Sequence, residues 1–254
     1  MEFAGLDIGS RNIKLVVVDE TGGIVEKRKC STSFDPMEKC AEILEGIQYH
    51  ALMATGYGRH LFSRHNGIDE EKTVSVVSEI KAHAKGANAW FPDVPAILDI
   101  GGQDTKVISL NKSGKVKKFE MNDRCAAGTG KFLEVMALAF SQDIEAFGNF
   151  AMKGDHPCPI SSMCTVFAES EATSLMARGE NPRNIALGLH LSVAKRAVSM
   201  VKRVTGSVPL VFSGGVANNR CIQDLIQKEI NGDVVLPEHP QYTGAFGAAL
   251  LAME

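Results

Sequence analysis

Short apolar runs alternate along the chain with amphipathic helical stretches and with turns rich in glycine. Residues 208–212 form one clear apolar run, and residues 131–140, 166–178 and 220–229 carry the spacing of amphipathic helices. The segment 242–253 contains two glycines and several alanines, which predicts a helix packed closely against another element. Such an alternation of strands and helices predicts a protein of the α/β class.

A weak internal repeat organises the predicted strands. The sequence Asp-Ile-Gly stands at residues 7–9 and again at 99–101, and Lys14 and Lys106 follow at the same offset. In each copy, two apolar runs flank a glycine-bearing polar turn, which is the pattern of a β-hairpin. We therefore expect two similar domains that face each other across a cleft. The predicted strands of the repeat are 13–18, 24–29, 105–110 and 115–119. The expected domains are residues 1–92 plus 239–254, and residues 93–238.

Three glycine turns have the composition of phosphate-binding loops. Residues 7–14 and residues 99–106 each combine a leading aspartate, a glycine turn and a lysine. Glycine lets backbone amides approach a phosphate chain closely, and Mg²⁺ prefers one or two carboxylates together with several waters. The third turn, residues 213–219, has two glycines but no acid, which favours a nucleoside over a metal. No Walker pattern is present at these turns, and their spacing leaves a kinase and an ATPase equally open.

Charge and length exclude several classes of partner. The 254 residues carry a net charge of −3, which argues against nucleic acid or an anionic membrane surface as the main partner. No apolar run approaches the ~20 residues of a membrane span. Residues 1–5 lack the features of a signal peptide, so we expect a cytoplasmic protein. The seven histidines show no spacing typical of zinc ligands.

Two cysteines stand just before predicted helices. Cys125 precedes a glycine turn that leads into the helix 131–140, and Cys164 precedes the helix 166–178. The unpaired N–H groups and the dipole of a helix N-terminus favour a thiolate over a thiol. Both residues are therefore candidates for metal-binding thiolates.

The remaining four cysteines have a different interpretation. In a reducing compartment, six cysteines in a chain of this size do not suggest a disulfide framework. A free cysteine is most often a small buried hydrophobe, which is our interpretation of Cys30, Cys40 and Cys221. Cys158 leaves a second arrangement open, a metal-binding pair with Cys164 inside one chain.

The motifs resemble those of a known superfamily. The three glycine turns resemble the two phosphate motifs and the adenosine motif of the actin, Hsp70, and acetate and sugar kinase superfamily. Within it, residues 54–59 (Ala-Thr-Gly-Tyr-Gly-Arg), 121–130 and 164–171 resemble the activators of 2-hydroxyacyl-CoA dehydratases. The ATPase subunits of benzoyl-CoA reductases and the reductases of double-cubane-cluster proteins share this pattern. The resemblance implies an α/β, two-domain, actin-like fold made of duplicated ribonuclease H-like domains.

For function, the resemblance implies ATP-gated transfer of one electron. It implies a homodimer bridged by one [4Fe–4S] cluster, with Cys125 and Cys164 of each chain as ligands. Such a cluster commonly takes four thiolates, and a two-fold dimer doubles two cysteines to four. The partner would be a 2-hydroxyacyl-CoA dehydratase or a double-cubane iron–sulfur enzyme, with ferredoxin or flavodoxin as the electron source. A small-molecule kinase and a non-redox ATPase regulator of the same fold are the alternatives.

The expected site residues follow from these motifs. Asp7 and Asp99 would hold Mg²⁺ or its waters, Asp104 is a further acid, and either Asp7 or Asp99 would act as a base through water. Lys131 has a second interpretation as a solvated helix lysine. Glu79 is interpreted as the first-turn acid of a helix. We expect ATP to bias a hinge that couples hydrolysis to electron transfer. The residues expected to contact ATP or ADP are Gly9, Ser10, Lys14, Gly101, Gly102, Gln103, Gly130, Lys131, Gly214, Gly215, Val216 and Gln241.

Overall fold

The computed structural model describes residues 1–66, 73–162, 164–206 and 209–254. Val208, the first residue of the predicted strand 208–212, lies outside the described residues. The chain divides into two compact units. The first unit contains Met1–Val94, Leu110–Lys117 and Pro237–Glu254, and the second contains Pro95–Ser109 and Lys118–Leu236.

Strands and helices alternate along the described chain as the sequence pattern predicts. The helices expected at 131–140, 166–178, 220–229 and 242–253 are confirmed as α4, α6, α8 and α9, with ends that differ by one residue. In chain order the elements are β1 (Phe3–Ile8), β2 (Asn12–Val18), β3 (Ile24–Ser31), α1 (Pro36–Leu44), β4 (Ala51–Thr55), α2 (Arg59–Asn66), β5 (Thr73–Val76), α3 (Glu79–Trp90), β6 (Ala96–Ile100), β7 (Thr105–Leu110), β8 (Val116–Asn122), α4 (Gly130–Ala139), α5 (Ile144–Ala151), α6 (Thr165–Ala177), α7 (Pro182–Val204), β9 (Leu210–Ser213), α8 (Arg220–Ile230), β10 (Val234–Val235) and α9 (Thr243–Ala252).

The first sheet has the strand order β3-β2-β1-β4-β5. Its central strand β1 runs antiparallel to β2 and parallel to β4. Helix α9 packs on this sheet and on α3 through glycines. A Cβ atom added to Gly5 of β1 would clash with the backbone of Ala245, and one added to Gly247 would clash with the carbonyl of Ala82. The close packing expected for the C-terminal helix is therefore confirmed.

The second sheet repeats this arrangement in the order β10-β9-β6-β7-β8. Strand β6 runs antiparallel to β7 and parallel to β9, so it holds the place of β1. Asp7 is in register with Lys14 across β1 and β2, and Asp99 is in register with Lys106 across β6 and β7. The sequence repeat is therefore a repeat of structure, in which each Asp-Ile-Gly turn ends a central strand.

Helix α7 forms the centre of the apolar core of the second unit. It begins after Asn181, whose side-chain oxygen accepts a hydrogen bond from the backbone N–H of Arg183, and it runs for 23 residues. Leu189 and Val193 lie in its buried face, and the helix packs against α4, α5, α6 and α8. Within the described ranges, no helix is both long enough and apolar enough to cross a membrane.

Candidate functional site

The first phosphate-type turn lies at the end of β1 in the first unit. Asp7 is almost completely buried, and its Oδ2 atom lies 3.3 Å from the Nζ atom of Lys14. The turn closes by a hydrogen bond of 3.2 Å from the Gly9 N–H to the carbonyl of Asn12. The hydroxyl of Thr32 donates to the Gly9 carbonyl at 2.7 Å, and Ser10 is exposed at the tip. Asp7, Gly9, Ser10 and Lys14, which the sequence predicted to form one site, thus lie together at this turn.

The second turn lies at the end of β6 in the second unit and is more strongly paired. Asp99 is 2% exposed, and its Oδ2 atom accepts a hydrogen bond of 2.9 Å from the Ser213 hydroxyl. The buried Nζ atom of Lys106 lies 3.6 Å from Oδ1 of Asp99 and 2.7 Å from Oδ2 of Asp104. Asp99 therefore has both carboxylate oxygens engaged inside the protein, whereas Asp104 is part-exposed and Gln103 is exposed.

The structure corrects one expectation about the second turn. We expected the amides of both Gly101 and Gly102 to face phosphate. The Gly101 N–H instead donates to the carbonyl of Asp104 at 2.9 Å. The Gly9 N–H makes the equivalent hydrogen bond in the first turn, to the carbonyl of Asn12. A Cβ atom added to Gly101 would lie 2.5 Å from the Oδ1 atom of Asp104. Its amide closes the turn and is not available to a ligand.

The third glycine turn and the start of α4 converge on the second turn. Gly214 has a φ of +88°, and a side chain there would clash with the carbonyl of Ile100 at the end of β6. The N–H groups of Gly130 and Lys131 donate to the carbonyls of Gly101 (2.9 Å) and Gly102 (2.7 Å). All of these contacts lie inside the second unit. The backbone of the second turn is therefore tied directly to the first residues of α4.

Val216 and Gly215, two more residues that we expected to contact the nucleotide, lie in the same region. Val216 is buried, and a Cβ atom added to Gly130 would lie 3.2 Å from its Cγ2 atom. A Cβ atom added to Gly215 would meet no atom within 4 Å, so open space lies beside this glycine. The third turn therefore presents an open backbone surface next to the start of α4.

Three further candidate residues, Lys131, Glu79 and Gln241, lie at or just before the start of a helix. The Nζ atom of Lys131 pairs with Glu134 one helical turn away at 3.4 Å, the arrangement expected of a solvated helix lysine. Glu79 is the first residue of α3, whose N-cap is Ser78, so its interpretation as a first-turn acid is confirmed. Gln241 lies in the short 3₁₀ turn Pro240–Tyr242 that leads into α9 in the first unit.

Cys125 and Cys164 are both exposed and both stand at the approach to a helix. Cys164 is the N-cap residue of α6, and its carbonyl accepts a hydrogen bond of 2.8 Å from the N–H of Ala168. Cys125 lies in the turn before α4, where the side-chain amide of Asn122 donates to its carbonyl at 2.9 Å. Helices α4 and α6 pack against each other. The two thiols are thus presented by neighbouring helices of one unit.

The donor set fits half of a thiolate-ligated cluster. Among the residues described, no group of three or more histidine, cysteine or acidic side chains is placed to hold a metal ion. Cys125 and Cys164 are two exposed thiols per chain, half the number of thiolates that a [4Fe–4S] cluster commonly takes.

The other cysteines are held within the two units. Cys158 is buried in the core beside α7, 3.8 Å from a carboxylate oxygen of Glu180, and burial raises the pKa of its thiol. Burial also raises the pKa of Cys40 and of Cys221 to about 12, so the interpretation of both as buried hydrophobes is confirmed. Cys30 is half-buried on β3 and packs against the core of the first unit.

Comparison with known proteins assigns the family. The model of the BadF/BadG/BcrA/BcrD ATPase family matches residues 4–252, which is nearly the whole chain. The chain belongs to this ATPase family. One relative, the 2-hydroxyisocaproyl-CoA dehydratase activator of Clostridioides difficile, is 41% identical over 262 residues, covering 100% of this chain and 96% of the relative. The resemblance found in the motifs is thereby confirmed.

Solved structures confirm the fold class as well. The activator of the 2-hydroxyisocaproyl-CoA dehydratase from Clostridium difficile with bound ADPNP has a TM-score of 0.89 at 39% identity, covering 100% of this chain and 94% of that chain. A ROK family glucokinase from Streptomyces griseus in complex with glucose and AMPPNP has a TM-score of 0.64 at 14% identity, covering 99% of both chains. The second likeness shows the fold alone. This member of the ATPase family therefore has the predicted actin and sugar kinase-like architecture.

One acid that holds the Cys164 segment was not singled out from the sequence. The carboxylate of Glu171 accepts hydrogen bonds from the N–H and hydroxyl of Ser161 (2.9 and 2.8 Å) and from the N–H of Ser162 (2.8 Å). Partial burial opposes ionisation, but these donors prevail and lower the pKa of Glu171 to about 2. Glu171 ends the stretch 164–171, so the motif contained this residue without revealing its partner.

A buried histidine behind the third turn was also missed. The Nδ1 atom of His190 lies 2.8 Å from the carbonyl of Ala186, and its Nε2 atom lies 3.1 Å from the side-chain amide of Asn219. Asn219 in turn accepts a hydrogen bond from the N–H of Ile222 as the N-cap of α8. Burial disfavours the charged imidazole and lowers the pKa of His190 to about 4. Nothing in the histidine spacing distinguishes this residue.

Proposed function

We propose that the chain is an ATP-dependent one-electron donor. A [4Fe–4S] cluster would bridge a homodimer, and the protein would reduce a 2-hydroxyacyl-CoA dehydratase or a related iron–sulfur partner while hydrolysing ATP. The observation that carries the proposal is the pair of exposed thiols of Cys125 and Cys164 at the approaches to two packed helices, one of which is tied to a phosphate-type turn. The name of the 41% identical relative supports the choice of partner.

The surface around Cys164 supports a shared cluster. Val166 and Phe167 in the first turn of α6 are each 66% exposed, and only Ala168 and Ala172 of this helix are buried. Large apolar side chains that are left exposed beside a candidate ligand favour contact with another protein surface. In a two-fold dimer the same patch is used by both copies, which would bring four thiolates together. The cluster would supply the site that stores and releases the electron, with ferredoxin or flavodoxin as its source.

The backbone supports coupling between nucleotide and cysteine. The carbonyls of Gly101 and Gly102 accept hydrogen bonds from the first two residues of α4, and the Thr105 hydroxyl donates to the carbonyl of Gly128 at 2.8 Å. A change in the second turn would therefore be passed to the segment 125–130 and to α4. We propose that ATP binding biases this connection between two states and so changes the surroundings of Cys125.

The two aspartates differ in what they can offer to ATP and Mg²⁺. Asp99 is engaged by Ser213 and Lys106 through both oxygens, whereas the Oδ1 atom of Asp7 has no hydrogen-bond donor among the residues described. Mg²⁺ keeps several waters and binds one or two carboxylates. We propose that Asp7 holds the waters of Mg²⁺ or the attacking water, that Lys14 and the second and third turns hold ATP, and that Asp99 supports the second turn. The nucleotide analogue bound to the 39% identical relative supports ATP as the ligand.

Iron content tests the cluster. Protein purified without oxygen should be brown and contain about four irons per dimer. Cys125→Ala and Cys164→Ala should each lose the colour and keep nucleotide binding, because both thiols are exposed and neither residue belongs to a phosphate-type turn. Cys158→Ala is the matched control and should keep its iron, since this thiol is buried in the core. A colourless wild-type protein after cluster reconstitution would refute the proposal, and loss of iron in folded Cys158→Ala would point to a pair within one chain.

A second experiment tests the gating. The reduction potential and the dimer geometry should both change when ATP is added, as followed by redox titration and by cross-linking. Reduced protein with ATP should then transfer one electron to a purified dehydratase, and reduced protein without nucleotide should not. Unchanged potential, geometry and partner binding in the presence of ATP would contradict the gating.

A further inference from the structure

A row of three polar residues crosses the second sheet at the level of its phosphate-type turn. Lys106 on β7, Asp99 on β6 and Ser213 on β9 are in register with one another. The Ser213 hydroxyl donates to Asp99 at 2.9 Å, and Lys106 approaches the same carboxylate from the other side. The aspartate is thus held between a cation and a hydroxyl.

The first sheet contains the same row. Lys14 on β2, Asp7 on β1 and Thr55 on β4 are in register, in the same strand positions and in the same order of cation, acid and hydroxyl. Paired residues on neighbouring strands point to the same face of a sheet, so Thr55 flanks Asp7 as Ser213 flanks Asp99. The structural repeat therefore includes the hydroxyl residue, which the sequence repeat did not show.

The hydroxyls of Thr55 and Ser213 differ in their hydrogen bonding. Thr55 is 0% exposed, and its Oγ1 atom has no hydrogen-bond partner among the residues that the structure describes. A buried hydroxyl without a partner destabilises a folded protein, whereas valine of the same shape would not. A threonine here is explained if a partner becomes available in another state of the protein.

The loop that follows Thr55 lies directly against Asp7. Gly56 has a φ of +85°, and a Cβ atom added there would lie 2.6 Å from the Oδ1 atom of Asp7. The N–H of Gly58 donates to the carbonyl of Ile8 at 3.0 Å, and the guanidinium of Arg59 donates to the Gly56 carbonyl at 2.9 Å. The loop is fixed from both ends, so Thr55 is held beside the carboxylate.

We infer that Thr55 is a positioning residue for Asp7, the counterpart of Ser213 in the other unit. The inference rests on the proposed role of Asp7 in ATP binding and hydrolysis. When phosphates draw the Lys14 ammonium away from Asp7, the Thr55 hydroxyl donates to the carboxylate and keeps it oriented toward Mg²⁺-bound water. Thr55 itself touches neither ATP nor water, because its side chain is fully buried.

Steady-state ATP hydrolysis by Thr55→Val, Thr55→Ser and wild type tests the inference. Thr55→Val should lower kcat about tenfold and change the KM for ATP by less than about twofold, because it removes a hydrogen bond to a charged group and leaves the binding groups in place. Thr55→Ser keeps the hydroxyl and should recover kcat to within about twofold of wild type. Thr21→Val, in the exposed turn after β2, is the matched control and should have wild-type kinetics.

Folding and the proposed function are checked separately from Thr55. The urea midpoint of Thr55→Val should equal or exceed that of wild type, so a lower kcat would not reflect unfolding. Wild-type kcat in Thr55→Val, or equal impairment of Thr55→Ser and Thr55→Val, would overturn the inference. Iron content is measured on the same preparation. A protein without iron that hydrolyses ATP would remove the electron-transfer proposal and leave the assignment of Thr55 standing.

Discussion

The buried contact between His190 and Asn219 makes the stability of the protein depend on pH between 7 and 5. The Ala186 carbonyl can only accept, so Nδ1 of His190 carries the proton and Nε2 accepts from the Asn219 amide. Protonation would convert Nε2 into a donor that faces another donor in a buried site. The folded protein resists that change, and burial lowers the pKa of His190 from 6.5 to about 4.

The change in folding stability between pH 7 and pH 5 follows from proton linkage. An unfolded histidine takes up its proton near pH 6.5, and the folded one does so near pH 4, so the unfolded state binds more protons between these values. Stability is therefore lost as the pH falls through this window. Between pH 7 and pH 5 the loss is about 2 kcal/mol, or roughly 4–8 °C in Tm for a chain of this size. The carboxylate of Glu171 contributes only below pH 4.5, because its folded pKa is depressed to about 2.

Urea unfolding followed by circular dichroism at pH 5, 6 and 7 measures the effect. His190→Gln places a neutral acceptor near the position of Nε2 and should remove most of the pH dependence, even if it lowers the stability at pH 7. The same pH dependence in wild type and His190→Gln would refute the reasoning. A wild-type stability that does not change between pH 7 and pH 5 would refute it as well.

Two other variants test the packing and the segment before Cys164. Gly247→Ala should lower the free energy of unfolding by about 3 kcal/mol, because the added methyl enters the backbone of α3. Gly206→Ala, where a methyl would meet nothing, should change it by less than about 0.5 kcal/mol, and equal stability of the two variants would contradict the packing argument. Glu171→Gln should reduce the iron content well below that of wild type, because one charged acceptor no longer holds the segment that leads to Cys164. Glu169→Gln on the exposed side of the same helix is the control, and equal iron in both variants would show that Glu171 does not support the ligand.

The backbone of the second turn connects the proposed ATP site to the segment that contains Cys125. The Gly101 amide closes the second turn by a hydrogen bond within it. The carbonyls of Gly101 and Gly102 accept hydrogen bonds from the first residues of α4. Three polar groups of this backbone are therefore engaged in hydrogen bonds within the second unit. A small rearrangement of the turn would break or strain two short hydrogen bonds at the N-terminus of α4, and the segment with Cys125 precedes that point directly.

Local patterns in the sequence are enough to predict the elements and the repeat. Apolar periodicity, glycine turns and the two Asp-Ile-Gly copies are local signals, because strand and helix periods and turn chemistry act over a few residues. They predicted α4, α6, α8 and α9 to within one residue and showed Lys14 and Lys106 at the same offset from their aspartates. The resemblance of the motifs supplied the family.

The contacts between side chains that are distant in sequence depend on how the strands and helices pack. Thr55 flanks Asp7 because β4 pairs with β1 in one particular register, and Ser213 reaches Asp99 across 114 residues for the same reason. His190 is a neutral buried group because its face of α7 is buried, and Cys158 lies in the core whereas Cys164 lies on the surface. Sheet register and burial depend on the packing of the whole unit, and no short segment of sequence carries that information.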